Sequence, residues 1–221
     1  MSRKVSSAMA EPTARRPSRA QVKAGTRARL IRSTIDVIAE KGFAGTTLAD
    51  VAHRTGMSRG IVNFHFASKE QLLAATLAYM ADEYQQVFER VMRRAGRAPA
   101  ARLAALLKVD FHPTLCTGRK IMAWRAFWAE SRARPAFRRQ RDTLDARYFR
   151  EAEALCARLI DHGDYTGLDA AIVARGLNAM IDGLLDEIMM HPEAVSRAAA
   201  RRVCLTFLAG LFPKDFTAPG R

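Results

Sequence analysis

Apolar residues recur along this chain at steps of three and four, the spacing that lines up one face of an α-helix. Leu30, Ile31, Ile35 and Ile38 form such a stripe between Arg27 and Lys41. Leu48, Val51 and Ala52 form a short second one. Leu73, Leu77, Met80, Tyr84, Val87 and Val91 form a long third, predicting a helix from Ser68 to about Arg94. Further helices are predicted over 100–109, 119–131, 135–161, 168–190 and 193–211. Gly42, Gly56, Gly96, Pro99, Gly118, Pro135, Gly163 and the His191-Pro192 pair punctuate them, as residues that end or restart helices do. Alternation of the strand type never lasts more than a few residues, and no segment repeats. The chain reads as all-α.

The stretch from Thr46 to Lys69 is organised more tightly than the rest. Thr46 and Thr47 can satisfy free backbone N–H groups at a helix start. Gly56 can end that helix in the left-handed conformation. Met57 fills the turn and Ser58 caps a second helix. In that helix Ile61 and Val62 are expected to face inward, leaving Arg59, Gly60, Asn63 and Phe64 facing out. Helix, about four residues of turn, helix is the arrangement that sets a second helix into the DNA major groove.

Charge supports that direction. The chain of 221 residues has a formal net charge of +14, which points to a polyanionic partner. Residues 1–24 carry six basic groups against one acid, and 25–69 seven against three. The positive density therefore crowds the end that holds the helical pair. Residues 1–24, rich in Ser, Ala, Pro and Arg, read as a disordered basic arm. A DNA-binding unit is expected over 25–68, a helical body over 69–213 and a short tail over 214–221. Three widely spaced cysteines suggest neither a zinc site nor a disulfide framework and fit a reducing cytoplasm. No run of apolar residues is long enough to predict a membrane span. No phosphate loop, serine elbow, Cys–His pairing or metal-ligand spacing is evident, so no cofactor is expected and an enzyme is disfavoured.

The order Thr46-Thr47, Val51-Ala52, Gly56-Met57-Ser58, Gly60, His65-Phe66 and Lys69 resembles the DNA-binding domain of TetR-family repressors. The resemblance runs from about Arg29 to Leu73. It implies that Arg59, Asn63 and Phe64 reach the groove, that Thr46, Thr47, His65 and Lys69 position the phosphate backbone, and that Ser58 and Gly60 belong to the same DNA-binding set. In one respect the chain departs from the family, which usually has Tyr where Asn63 stands. The segments MAWRAFWAES at 122–131 and LNAMIDGLLDE at 177–187 resemble the choline-responsive, BetI-like branch, though Leu185 stands where that branch often has Trp.

Two expectations follow for the body. Leu177, Ile181, Leu184 and Ile188 form one apolar stripe, and Val203, Phe207 and Leu211 another. Together they exceed what one small bundle needs, which predicts a homodimer joined as a four-helix bundle and reading a palindromic duplex. Trp124 and Trp128 share a helix face, with Phe127 and Phe111 near in sequence. Aromatic faces with a carboxylate nearby, here Asp182 or Glu187, suit a cationic small-molecule effector. Asp182 pairing with Arg125 is the plainer alternative for that acid. The competing readings of the whole chain are a regulator sensing an apolar ligand and a less specific architectural DNA-binding protein.

Overall fold

The computed structural model describes residues 18–217 and is helical from end to end, without a strand among them. In chain order the helices are α1 (Arg19–Gly45), α2 (Leu48–Thr55), α3 (Arg59–His65), α4 (Lys69–Arg94), α5 (Pro99–Asp110), α6 (Gly118–Glu130), α7 (Pro135–Gly163), α8 (Ala170–Met190) and α9 (Arg197–Leu211).

The helix starts follow their predicted chemistry. Thr47, Ser58 and Ser68 each accept a hydrogen bond from a backbone N–H three residues on. At Thr47 the arrangement is a full capping box with Asp50. Such caps are worth about 1 kcal/mol each. Gly42 takes φ 72° and breaks the helical path of α1, so that Phe43 turns back into the interior. Gly56 closes α2 at φ 65°, a conformation an L side chain resists.

The first helix corrects the expected basic arm. It begins at Arg19, eight residues earlier than the expected start at Arg27, where Ser18 and Gln21 form a capping box. The segment 19–24 is therefore helix rather than coil, and the remainder of the expected arm, 1–17, lies outside the described residues.

Three apolar clusters divide the interior. Leu30, Ile31, Val37, Val51, Val62, Phe66 and Leu72 hold α1 to α4 together as a small head. Leu103, Leu106, Tyr148, Leu155, Leu177, Ile181, Cys204 and Leu208 belong to the larger core of the body. Between them lies a seam in which Ile35, Ile38 and Phe43 of α1 and Leu73, Leu77 and Met80 of α4 meet Ala123 and Phe127 of α6 and Phe137 of α7. Phe43, Phe127 and Phe137 stand edge to face there, with ring centroids 5.4–5.8 Å apart, the geometry favoured by aromatic quadrupoles. The head is thus joined to the body both by the continuous α4 and by α6 lying across α1.

Candidate DNA interface and effector cavity

In the head, α3 exposes one side. Its inward residue is Val62, which is fully buried, while Phe64 is 70% and Ile61 42% exposed. The expectation that Ile61 faces inward is therefore wrong. A seven-residue helix lying across α2 buries only a narrow strip, and Ile61 is just off it. Ser58, Arg59, Gly60 and Asn63 are exposed with Phe64, as expected of residues that read a groove. Lys23 of α1 places its ammonium 4.9 Å from the Phe64 ring centre, so the first helix adds a cation to this face that the sequence reading did not select.

The backbone-positioning residues divide. Thr47 is exposed at the start of α2, but its hydroxyl is engaged with Asp50. The hydrogen bond from Lys41, reinforced by Thr47, holds the Asp50 carboxyl down at about 2. Thr46 is fully buried and its hydroxyl donates to the Gly42 carbonyl. It pins the α1–α2 corner and cannot reach a phosphate, which corrects its assignment. Lys69 donates its ammonium to the Ala44 carbonyl at 2.7 Å, tying the start of α4 to that corner. His65 is half-buried with an unpartnered Nδ1. Burial, then the charges of Lys23 and Arg27, lower its pKa below that of an ordinary imidazole.

In the body, a cavity of about 150 Å³ lies between α4, the end of α5, α6, α7 and α8. A space of this order takes a ligand about the size of benzene. Trp124 and Trp128 of α6 form one wall, with ring centroids 4.8 Å apart. Tyr84 of α4 and Tyr148 of α7 line it as well, and Leu185 occupies the place where the resembling branch often carries Trp. The lining holds three carboxylates, Asp110, Asp145 and Asp182, and one guanidinium, Arg125. Arg125 is committed to α8, with Nε donating to Asp186 at 2.7 Å and its terminal nitrogens donating to the Asp182 carboxylate and carbonyl. The plainer role for Asp182, a partner of Arg125, is therefore present, and Asp182 lines the cavity too. Asp110 forms the inner end. Burial pushes its carboxyl up to about 7, and Tyr84 donates to its Oδ1 at 3.4 Å.

Three expected effector residues are elsewhere. Phe127 is fully buried and faces the seam. It lies a quarter-turn round α6 from Trp128, and α6 is sandwiched, so both sides are apolar for different reasons. Phe111 is buried beside a second, open groove between the α5–α6 and α8–α9 connections. Glu187 is exposed on α8, off the cavity. Conversely, Tyr84, Asp110, Asp145 and Tyr148 were not anticipated. They come from three helices remote in sequence, and no local spacing announces them.

The expected dimer stripe on α8 is also corrected. Leu177 is fully buried, and Ile181 and Ile188 are nearly so, all within the chain's own core. The side of α8 that faces out carries Ile172, Gly176, Ala179, Gly183 and Met190. Leu184, Phe207 and Leu211 are half-buried at its borders, and Val203 is 47% exposed. Among the described residues no group of His, Cys, Asp and Glu is placed to hold a metal ion, and no helix is long and apolar enough to cross a membrane.

Comparison with known proteins agrees with both halves. Residues 30–76 match the family described as bacterial regulatory proteins of the tetR family. Residues 99–213 match the C-terminal domain described as that of a BetI-type transcriptional repressor. An HTH-type transcriptional regulator BetI from Paraburkholderia xenovorans is 32% identical over 182 residues, covering 82% of this chain and 91% of that one. A BetI from Paraburkholderia phymatum is 36% identical over 166 residues, covering 72% and 78%. Among solved structures, a transcriptional regulator from Pseudomonas aeruginosa PAO1 superposes with a TM-score of 0.71 at 23% identity, over 88% of this chain and 95% of that one. One from Saccharomonospora viridis, in complex with choline, gives 0.69 at 22% identity, over 84% and 96%. The chain belongs to the TetR family of DNA-binding transcriptional regulators, in its BetI-type branch, a family of regulators rather than enzymes.

Proposed function

We propose that this regulator is a homodimeric repressor, released from a palindromic operator by a small cationic effector held in the cavity between α6 and α8. The observation that carries the reading is the lining: two tryptophans and two tyrosines around a surplus of carboxylate. Aromatic faces attract a cation through their quadrupole, and desolvated carboxylates strengthen that attraction. A relative of the same fold holds choline, which makes choline the natural first probe.

Each element has a task. Arg59, Asn63 and Phe64 enter the groove, while Thr47, Ser58, Gly60, His65, Lys69 and Lys23 follow the phosphates. Basic contacts of this kind give affinity that falls steeply with salt. Two copies join through the outward sides of α8 and α9, burying Ile172, Val203, Phe207 and Leu211 around the small residues Gly176, Ala179 and Gly183. The two heads then face successive grooves of one duplex, as a two-fold protein does on a palindrome. The molecule acts in the cytoplasm, where that duplex is.

The seam supplies the coupling. A cation against Trp124 and Trp128 presses on one side of α6, and the adjacent side, Ala123 and Phe127, packs on α1. A bound effector that favours a different seating of α6 changes the separation of the heads. It acts only through a difference in its affinity for the two seatings.

The test has two arms. The chain should retain one palindrome with affinity orders of magnitude above a shuffled duplex, two chains per duplex. Choline should quench tryptophan emission and release the duplex, whereas octanoate should do neither. Equal affinity for palindromic and shuffled duplexes would favour the architectural alternative, and release by octanoate alone the apolar-ligand alternative.

A further inference from the structure

The connection between α6 and α7, with the first turns of α7, forms a corner of concentrated charge. Residues 130–141 hold five arginines against one acid, Glu130. Arg134 answers that acid, its Nε donating to the Glu130 carboxylate at 3.2 Å. Arg141 is engaged with Asp145 and stands over the Trp128 ring. The other three, Arg132, Arg138 and Arg139, are exposed, and among the described residues none of them has a carboxylate partner. Arg138 donates to the Arg132 carbonyl at 3.0 Å, which holds this corner together.

What the corner rests on gives it a direction. Phe137 of α7 packs edge-on against Phe43 at the end of α1. The Arg134 guanidinium lies 5.1 Å from the centre of the Phe43 ring, and the Lys69 ammonium lies 5.9 Å from the same centre. The two cations are therefore no farther apart than those distances laid end to end. The Glu70 carboxyl, in the first turn of α4, is held below the usual range by its own backbone N–H and the Ser68 hydroxyl, and the Arg134 charge adds to the effect. Arg138 is one turn beyond Arg134 on the same face of α7. The arginines thus sit beside Lys69 at the start of α4, inside the segment 30–76 that matches the tetR family.

We propose that the body itself touches DNA here: Arg132, Arg138 and Arg139 bind backbone phosphates next to those met at the start of α4, widening the footprint of each head. This rests on the head being the DNA-binding unit, which the family assignment supplies. Each strand of a duplex carries a phosphate about every 3.4 Å along the axis, so a strand that meets Lys69 offers its next phosphates to this corner. The guanidinium fork matches phosphate oxygens in pairs. A polyanion alongside also relieves the mutual repulsion of unpaired like charges. Contacts to the backbone fix position and carry no sequence information, so this surface adds affinity to every duplex alike.

The experiment is fluorescence anisotropy of the full chain on two labelled duplexes, the palindrome it selects from a random library and a shuffled version of it, between about 50 and 200 mM salt. The triple variant Arg132→Gln/Arg138→Gln/Arg139→Gln should bind both duplexes at least about tenfold more weakly at the low-salt end, with the ratio between them kept within about twofold. Its slope of log affinity against log salt should be shallower by at least about 2, since each lost phosphate contact is worth about 0.9. Hydroxyl-radical footprinting should show backbone protection lost at the edge of each half-site. As surface changes the substitutions should move Tm by less than about 2 °C. The all-lysine triple, Arg132→Lys/Arg138→Lys/Arg139→Lys, should keep most of the slope. Arg93→Gln/Arg94→Gln/Arg97→Gln removes the same charge at the other end of α4, about 39 Å from Lys69, and should leave slope and footprint unchanged. An equal loss in both glutamine triples would show net charge acting at a distance and would overturn the contact. No change in either would also overturn it, leaving the corner to solvent or to an acidic protein surface. Failure of the unaltered chain to bind either duplex would overturn the DNA-binding reading of the head as well.

Discussion

Truncating Phe127 to alanine separates the seam from the cavity. The ring is fully buried and meets Phe43 and Phe137 edge-on at 5.8 and 5.4 Å. Removing a buried phenylalanine costs about 3–5 kcal/mol in lost transfer energy and residual cavity. Each edge-on pair adds about 0.5–1.5 kcal/mol, so the upper part of that range applies. In a domain of this size each kcal/mol moves Tm by about 2–4 °C. Phe127→Ala should therefore melt about 8–20 °C lower in differential scanning calorimetry at fixed protein concentration. The more telling readout is functional and is taken well below the lowered Tm, with Phe127→Leu as the milder variant. Phe127 does not line the cavity, so choline affinity by tryptophan quenching should stay within about twofold. The effect of choline on operator affinity should shrink, because the ring on the head side of α6 is gone. A fall in Tm below about 3 °C would refute the packing argument. Lost choline affinity with intact coupling would refute the division of α6 into two faces.

Further outcomes are expected from other variants. Thr46→Val should lower stability by about 1–2 kcal/mol in urea, since it removes the bond to the Gly42 carbonyl, yet leave the salt dependence of operator binding unchanged. Arg59→Ala should abolish specific retention in a gel-shift assay, and Lys23→Ala should reduce the slope of log affinity against log salt by about 0.9 if Lys23 meets a phosphate. Ala179→Arg, on the outward side of α8, should give a folded monomer in analytical ultracentrifugation. For pH, the Asp110 carboxyl lies above its unfolded value. The native state therefore binds the extra proton between about pH 4 and pH 7, and stability falls as pH rises through that window. Asp110→Asn should flatten that slope and be the more stable protein above pH 7, as measured by urea unfolding across pH.

The helices were legible because their apolar residues recur at steps of three and four, and the caps at Thr47, Ser58 and Ser68 mark their starts in the sequence. The early start of α1 was missed because 19–24 is wholly exposed and has no apolar rhythm, although the Ser18–Gln21 capping box was there to be read. Residues whose role depends on what lies across from them were harder. Trp124, Phe127 and Trp128 form one aromatic run, and only the neighbours of α6 decide that the tryptophans border the seam and line the cavity, while the phenylalanine lies within the seam alone. Leu177 and Ile181 show the same ambiguity on α8, since an apolar stripe does not say whether its partner is the same chain or a second copy. The Asp110 end of the cavity was invisible because α4, α5 and α7 each contribute one polar residue to it.

The central claim is that operator and cation compete through one two-state molecule, and reciprocity tests it most directly. Operator affinity should be measured by fluorescence anisotropy with and without saturating choline, and choline affinity with and without saturating operator. The account predicts that each weakens the other by the same factor, on the order of 5- to 150-fold. Operator affinity that is indifferent to choline, or choline affinity that is identical on free and operator-bound protein, would contradict it.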